Sequence, residues 1–141
     1  PFLDVGATLH ARYVLANGSP LDAAGWSSTS GGNGCAFRFT LEDPAGQVVW
    51  EPGSWNGGVF TPPGCTFGMR PRVLPGKSAL QGTASVPLVY QNAANLGAQG
   101  QALPAGLYHL VAEVQFIGPE RLPSTFGPGL SYGARLPIRI E

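Results

Sequence analysis

The chain has 141 residues, which is long enough for one domain with a buried core. Only 11% of the residues are charged, and the formal net charge is zero. This excludes a typical nucleic-acid-binding protein, because phosphate recognition needs a surplus of Lys and Arg. No stretch reaches the roughly 18 consecutive apolar residues of a membrane helix, so no membrane span is expected. The 21 Gly and 14 Pro residues follow no repeat and indicate many short elements joined by turns.

The first predicted strand covers residues 7–16. Thr8, His10 and Arg12 lie on one face, and the opposite face is apolar, which is the period of a half-buried strand. The apolar face consists of Ala7, Leu9, Ala11, Tyr13 and Leu15. The segment 17–20, Asn-Gly-Ser-Pro, ends this strand with turn residues.

A hairpin is predicted over residues 35–52. CAFRFTLE alternates between apolar and polar residues, Asp-Pro-Ala-Gly at 43–46 forms a tight turn, and QVVWEP is the returning strand.

The rest of the chain is predicted as short strands separated by loops. Residues 53–64 are expected to be irregular, and 74–77, Leu-Pro-Gly-Lys, to form a turn. Further strands are expected at 65–69, 78–90, 107–116 and 132–140, with a loop or short helical turn at 92–101. Pro137 marks the last of these as an edge strand, because proline cannot donate a ladder hydrogen bond.

No segment shows a sustained helical period, so the predicted fold class is all-β. About seven short strands predict an antiparallel immunoglobulin-like β-sandwich, with residues 1–141 as a single domain. A closed barrel is the alternative architecture.

Three segments resemble the bacterial intracellular proteinase inhibitor family of the Bacillus type. They are FRFTLEDPAGQVVWEPG, VLPGKSALQG and LPAGLYHLVAEVQF, and their order and spacing agree over about residues 35–116. The resemblance implies an immunoglobulin-like sandwich and makes protease inhibition a candidate activity. The chain departs from the family in its two cysteines and in long loops at 27–34 and 118–130, which suit a secreted or envelope protein. No inhibitory residue carries over.

Cys35 and Cys65 are predicted to form a disulfide. Their spacing fits neither a redox pair nor a zinc site, and two buried free thiols are the alternative. Closing a loop of about 30 residues would stabilise the fold by roughly 3–4 kcal/mol. A disulfide would place the protein outside the cytoplasm.

The two histidines are not expected to form a metal site. His109 lies within LPAGLYHLVAEVQF on the face opposite the apolar Tyr108 and Leu110, and His10 lies opposite the apolar face of its own strand. In an immunoglobulin-like sandwich such strands often belong to different sheets, so the two imidazoles would not converge. A copper protein of superoxide-dismutase or cupredoxin type is therefore the third choice, with Met69 as a possible soft ligand.

Catalysis is not expected either. The nucleophile-elbow, zinc-protease and phosphate-loop motifs are absent, and the adjacent acids Glu42 and Asp43 open a turn. No catalytic residue and no cofactor are therefore predicted, and the calcium-loop spacing is also missing.

Aromatic residues in the Gly/Pro/Ser-rich segments form the candidate interface. These residues are Trp26, Trp55, Phe60, Phe126 and Tyr132. Aromatics anchor many protein–protein contacts, although aromatics can also cap the ends of a sandwich.

The sequence therefore predicts a binding or structural module in an extracytoplasmic location. It would be an accessory subunit of a bacterial cell-envelope or S-layer assembly, with protein partners. A protease inhibitor that acts through an exposed loop is the main alternative. The start at Pro1-Phe2-Leu3 is expected for a processed chain or a fragment.

Overall fold

The computed structural model describes residues 2–28, 37–56, 58–61, 69–115 and 131–141. These residues form eleven strands and one turn of 3₁₀-helix at Leu96–Ala98, without an α-helix. The strands are β1 Phe2–Leu3, β2 Thr8–Ala16, β3 Ala23–Ser28, β4 Phe37–Glu42, β5 Val48–Trp50, β6 Ser54–Asn56, β7 Val59–Thr61, β8 Met69–Leu74, β9 Ala79–Pro87, β10 Gly106–Gln115 and β11 Ser131–Ile140. The prediction of an all-β chain is confirmed for this part of the molecule.

The largest sheet has five strands in the order β1-β11-β10-β4-β5. Its pairs are antiparallel except for β1, which runs parallel to the end of β11 and pairs Phe2 with Arg139 and Leu3 with Ile140. The central strand β10 pairs with β11 along its whole length and with β4 from His109 to Val114.

The predicted β4–β5 hairpin is confirmed. The Gly46 amide donates to the Asp43 carbonyl at 2.9 Å, and the Asp43 side chain accepts the Gln47 amide at 2.9 Å. Gly46 has φ +80°, a conformation that glycine adopts without steric cost. The local turn chemistry thus determines where the chain reverses.

A long two-stranded ribbon makes the second layer. β2 pairs with β9 from Thr8–Pro87 to Ala16–Ala79, and β3 pairs with β8 from Ala23–Leu74 to Ser28–Met69. The segments 17–22 and 75–78 face each other between these two halves, so the pairing continues across a kink with two extra residues on one side. The sequence predicted that turn residues at 17–20 end the first strand and that 74–77 form a turn; β2 does end at Ala16, and the Ser78 amide donates to the Pro75 carbonyl at 3.2 Å.

The kink is held together by hydrogen bonds between its two sides. The Asn17 amide donates to the Ser78 carbonyl at 2.8 Å, and the Lys77 amide donates to the Ser19 carbonyl at 2.9 Å. The Asp22 carboxylate accepts the Gly76 amide at 2.9 Å. Turn-forming residues therefore bend the ribbon here because each of them finds a partner across it.

One hydrophobic core joins the β2–β9 half of the ribbon to the five-stranded sheet. Its buried side chains come from both layers, and Tyr13 of β2 lies 5.3 Å from Phe39 of β4 between ring centroids. The core consists of Phe39, Leu41, Val49, Trp50, Ala84, Val86, Leu88, Leu103, Tyr108, Leu110, Ile138 and Ile140. The odd residues of β2, from Leu9 to Leu15, are less exposed than the even ones, as the alternation predicts.

Two further segments differ from, or extend, the sequence expectation. Residues 53–64 were expected to be irregular, yet β6 and β7 form a small hairpin within them. A strand was expected at 65–69, and β8 begins at Met69; the residues before it lie outside the described ranges. In the part of the chain that the structure covers, no helix has the length and apolar character to cross a membrane.

Candidate binding surface

The candidate interface residues are dispersed over the fold. Trp26 lies on β3 in register with Pro71, and Tyr132 lies on β11 in register with Val114. Phe126 lies outside the described residues. The predicted patch is therefore not shown to be one surface, and its role in binding stays a prediction.

Trp55 and Phe60 form a cross-strand pair in the β6–β7 hairpin. Their ring centroids are 5.6 Å apart, and both side chains are half-buried. Their neighbour Val59 is 64% exposed at the hairpin tip. The two aromatic rings pack on each other and brace the hairpin, which is a structural role that aromatic pairs commonly have on a sheet.

Cys35 and Cys65 both lie outside the described residues. The predicted disulfide between them stays a prediction.

The two histidines lie on separate sheets, with the core between them. His10 on β2 shares a hydrogen bond of 3.1 Å with Ser85 of β9, and both residues are exposed. His109 lies on β10 between Glu42 of β4 and Pro137 of β11. The prediction that the imidazoles do not converge agrees with this placement. No group of three or more possible metal ligands occurs in the residues that the structure describes.

The outward face of the five-stranded sheet carries two ion pairs. Arg38 contacts Glu51 at 2.9 Å, and Arg135 contacts Glu42 at 3.0 Å. The second pair joins β11 to β4 and so spans the intervening β10, where the half-buried His109 presents an Nδ1 atom that has no hydrogen-bond partner in the described structure. This face is mixed in charge and resembles an ordinary solvated surface.

Among the described strands, β11 has a neighbour on its second side only at Arg139 and Ile140. Glu141 donates its amide to the Leu3 carbonyl at 2.9 Å and accepts the Val5 amide at 3.2 Å, so its backbone points towards β1. Because backbone direction alternates along a strand and the β10–β11 register has no bulge, all odd residues of β11 point the same way. Pro137 is one of them, which explains why the sheet tolerates a proline there. The prediction of an edge position for Pro137 agrees with the described strands, none of which pairs with Pro137 on the side away from β10.

Beyond the two residues that pair with β1, no described strand covers this side of β11. We define the β11 edge as the backbone groups of Ser131, Gly133 and Arg135 on the side away from β10. These groups have the arrangement that an additional strand requires.

The core-facing row of β11 is also open at the same end. Ile138 and Ile140 are each 1% exposed, whereas Leu136 in the same row is 49% exposed and Ala134 is also exposed. All four side chains lie on one face of the strand because they alternate with the arginines. The apolar row thus extends beyond the layer that covers it.

A surface depression of about 650 Å³ lies near the other end of β11. It is lined by Ala105, Gly106, Leu107, Arg139, Ile140 and Glu141. Leu107 is 48% exposed, and Arg139 and Glu141 approach each other at 3.7 Å while both remain largely exposed. The lining of the depression combines apolar side chains with one charge of each sign.

Exposed aliphatic side chains also flank the ribbon kink. Leu21 is 74% exposed, Val73 is 59% exposed and Val14 is 54% exposed. Val14 lies on β2 before the kink, and Leu21 lies within the kink. Val73 lies on β8 and pairs with Ala24. Such residues favour contact with another protein when they lie close together.

The half-buried Tyr13 and the buried Tyr108 both have phenol pKa values above the ordinary value. Burial raises the pKa of Tyr13 to about 12. Burial, together with the charges of Tyr90 and Asp43, also raises the pKa of Tyr108, whose hydroxyl donates to the Pro104 carbonyl at 3.0 Å. Tyr108 belongs to the core, and Tyr13 packs against it.

No protein-family model, curated protein or solved structure matches this chain. The resemblance to the proteinase inhibitor family therefore stays a prediction. Sequence reasoning missed the open edge as a candidate site, although Pro137 was the signal that could have indicated it.

Proposed function

We propose that this chain is a non-catalytic binding module, an accessory or structural subunit of a bacterial cell-envelope or S-layer assembly. The observation that carries the proposal is the exposed end of β11, where the apolar row reaches Leu136 and backbone groups lack a strand neighbour among the described residues. Such an edge is a liability for an isolated protein and is useful to a protein that docks with others.

The composition supports the same proposal. With 11% charged residues, the surface has few of the charges that keep an isolated protein soluble. The exposed Leu21 and Val73 at the ribbon kink add apolar area that a partner could cover.

The finer parts of the proposal follow from the sequence. They are an immunoglobulin-like arrangement of the two layers, a Cys35–Cys65 disulfide and a location outside the cytoplasm. A long ribbon packed on a five-stranded sheet over a shared core is compatible with that arrangement.

The test is purification of the full chain from its native host in mild detergent, followed by mass spectrometry of the proteins that co-migrate. We expect the chain to run in a large envelope complex. A chain that runs alone, together with tight inhibition of a subtilisin-like protease or stoichiometric bound copper, would contradict the proposal and favour one of its two alternatives.

A further inference from the structure

We infer that the β11 edge docks an extended segment of a partner protein in which apolar and acidic side chains alternate. The inference rests on the proposed function and deepens it by naming the site and the chemistry of the partner segment. Three independent features of β11 carry it: backbone groups that no described strand pairs with, an apolar row that continues into solvent, and the arginines on the opposite face.

The backbone groups define where the segment binds. Ser131, Gly133 and Arg135 direct their amide and carbonyl groups away from β10, whereas Pro137 has no amide to offer. Phe2 and Leu3 already occupy the same side of the strand beside Arg139 and Ile140. The open stretch is thus about six residues long, or about 20 Å.

The apolar row defines one face of the partner segment. Ile138 is buried, while Leu136 and Ala134 continue its row into solvent. An added strand would lie about 4.8 Å from β11 and would place every second side chain beside this row. Apolar residues at those positions would extend the core over Leu136.

The arginines define the other face of the partner segment. Arg135 and Arg139 project on the side opposite Leu136, and their side chains are 51% and 64% exposed. Arg135 pairs with Glu42 of β4, and β11 itself contains no acidic residue. A carboxylate directly across from Arg135 would form a cross-strand pair.

A second copy of this chain fits the edge less well than such a partner. β11 carries two arginines and no acidic residue, so edge-to-edge pairing of two copies would supply Arg135 with no carboxylate. Complementary charge across an interface selects the partner and suppresses wrong ones.

The experiment uses the full chain and two synthetic probes of about eight residues. One probe alternates Val with Glu, and the other alternates Val with Lys. We expect the Glu probe to bind about tenfold more tightly than the Lys probe, because it alone places a carboxylate beside Arg135. Hydrogen exchange should show protection of the Gly133 and Arg135 amides by the Glu probe.

Two variants at one position separate edge pairing from other contacts. Gly133→Pro removes an amide that faces the open edge and is not used by β10, and the same strand already accepts Pro137 at a position of the same parity. We expect Gly133→Pro to lower the affinity for the Glu probe by about tenfold, because the variant loses one backbone hydrogen bond and adds a steric block. Gly133→Ala is the matched control, since its Cβ would lie an acceptable 3.6 Å from the Ala112 carbonyl oxygen.

A charge-swapped variant keeps the test decisive if Gly133→Pro unfolds the protein. The double change Glu42→Arg and Arg135→Glu preserves an ion pair across β10 but reverses the sign of charge beside the edge. We expect this variant to prefer the Lys probe over the Glu probe.

Three results would overturn the inference. The two probes bind equally well, Gly133→Pro binds the Glu probe as tightly as the unchanged protein does, or the protection of residues 131–135 rises with protein concentration in the absence of a probe. The last result would identify a second copy as the occupant. Native co-purification with envelope proteins that Gly133→Pro does not reduce would also overturn it, while leaving the proposed function intact. A chain that migrates alone in native extracts would instead remove the proposed function.

Discussion

Arg135 and Glu42 form an ion pair of 3.0 Å that joins two strands which are not neighbours. Arg135 belongs to β11 and Glu42 to β4, and β10 lies between them. The arginine side chain therefore crosses the outward face of β10 beside His109, which is directly opposite Glu42 in the register. The pair links three strands on the solvent side of the sheet.

The energetic contribution of this pair should nevertheless be small. A double-mutant cycle with Arg135→Ala and Glu42→Ala should give a coupling free energy of about 0.5 kcal/mol, because an exposed guanidinium loses entropy on pairing and is screened by water and salt. Arg38 and Glu51 form the matched control, since they join adjacent strands with similar exposure. Chemical denaturation measures both cycles, and a coupling above about 2 kcal/mol would show that the crossing pair is shielded from solvent.

Gly82→Ala should destabilise the β2–β9 pairing. Gly82 lies opposite Tyr13, and an added Cβ would lie 1.8 Å from the Tyr13 hydroxyl oxygen and 2.0 Å from the ring. The ring must move out of its place against Phe39, so we expect a loss of about 1–3 kcal/mol in the free energy of unfolding. Adding Tyr13→Ala to the variant should make the glycine substitution nearly neutral, and an equal loss in both backgrounds would show that the glycine matters for another reason.

The protein should lose stability as the pH rises above 10. The phenol pKa values of Tyr13 and Tyr108 are raised in the folded state, with Tyr13 at about 12, while unfolded tyrosine ionises near 10. Above pH 10 the unfolded chain therefore binds fewer protons than the folded chain, so the free energy of unfolding falls until the folded phenols also ionise. Denaturant titrations between pH 8 and 11.5 measure the slope, which Tyr13→Phe should reduce; a slope that neither Tyr13→Phe nor Tyr108→Phe changes would contradict this account.

Asn17→Ala should loosen the ribbon at its kink. The Asn17 side-chain amide lies 2.9 Å from the Leu21 carbonyl, 3.0 Å from that of Leu74 and 3.3 Å from that of Pro75. Alanine leaves these carbonyls without that donor, at an expected cost of about 1–3 kcal/mol. Native-state hydrogen exchange should show faster opening of β3 and β8 than of β10. Ser19→Ala, which removes one hydrogen bond to the Leu21 amide, is the milder control.

Leu136 and Ile138 should respond differently to the same substitution. Ile138→Ala removes a side chain that is 1% exposed and should cost about 2–5 kcal/mol, the usual range for a core cavity. Leu136→Ala, in the same row but 49% exposed, should cost less than about 1 kcal/mol in the isolated chain. Thermal and chemical unfolding compare the two; equal losses would show that Leu136 is covered in solution and that the row is closed.

Some elements could be predicted because short-range patterns specify them. The alternation of residues 7–16 determines which side of β2 is buried, and the Asp43–Gly46 turn determines the β4–β5 hairpin through hydrogen bonds within a few residues. The β6–β7 hairpin was missed, because its three-residue strands are too short for alternation to be recognised. Its Trp55–Phe60 pair is visible only when the strands are paired.

The ribbon kink, in contrast, could not be predicted from short-range patterns. Asn17-Gly18-Ser19-Pro20 and Leu74-Pro75-Gly76-Lys77 both carry ordinary turn chemistry. They do not reverse the chain because each finds its hydrogen-bond partners on the other, about 60 residues away. The local sequence of either segment does not show that the other segment supplies its hydrogen-bond partners.

The sequence alone determined the all-β class, the buried side of β2 and the β4–β5 hairpin, since each depends on side-chain period or on groups within a few residues. Only the tertiary structure decided that β1 covers just two residues of β11, that Arg135 reaches Glu42 over β10 and that Leu136 lies beyond the edge of the core. These features depend on which strands become neighbours. That choice is made by the free energy of packing two whole layers together, which no single segment encodes.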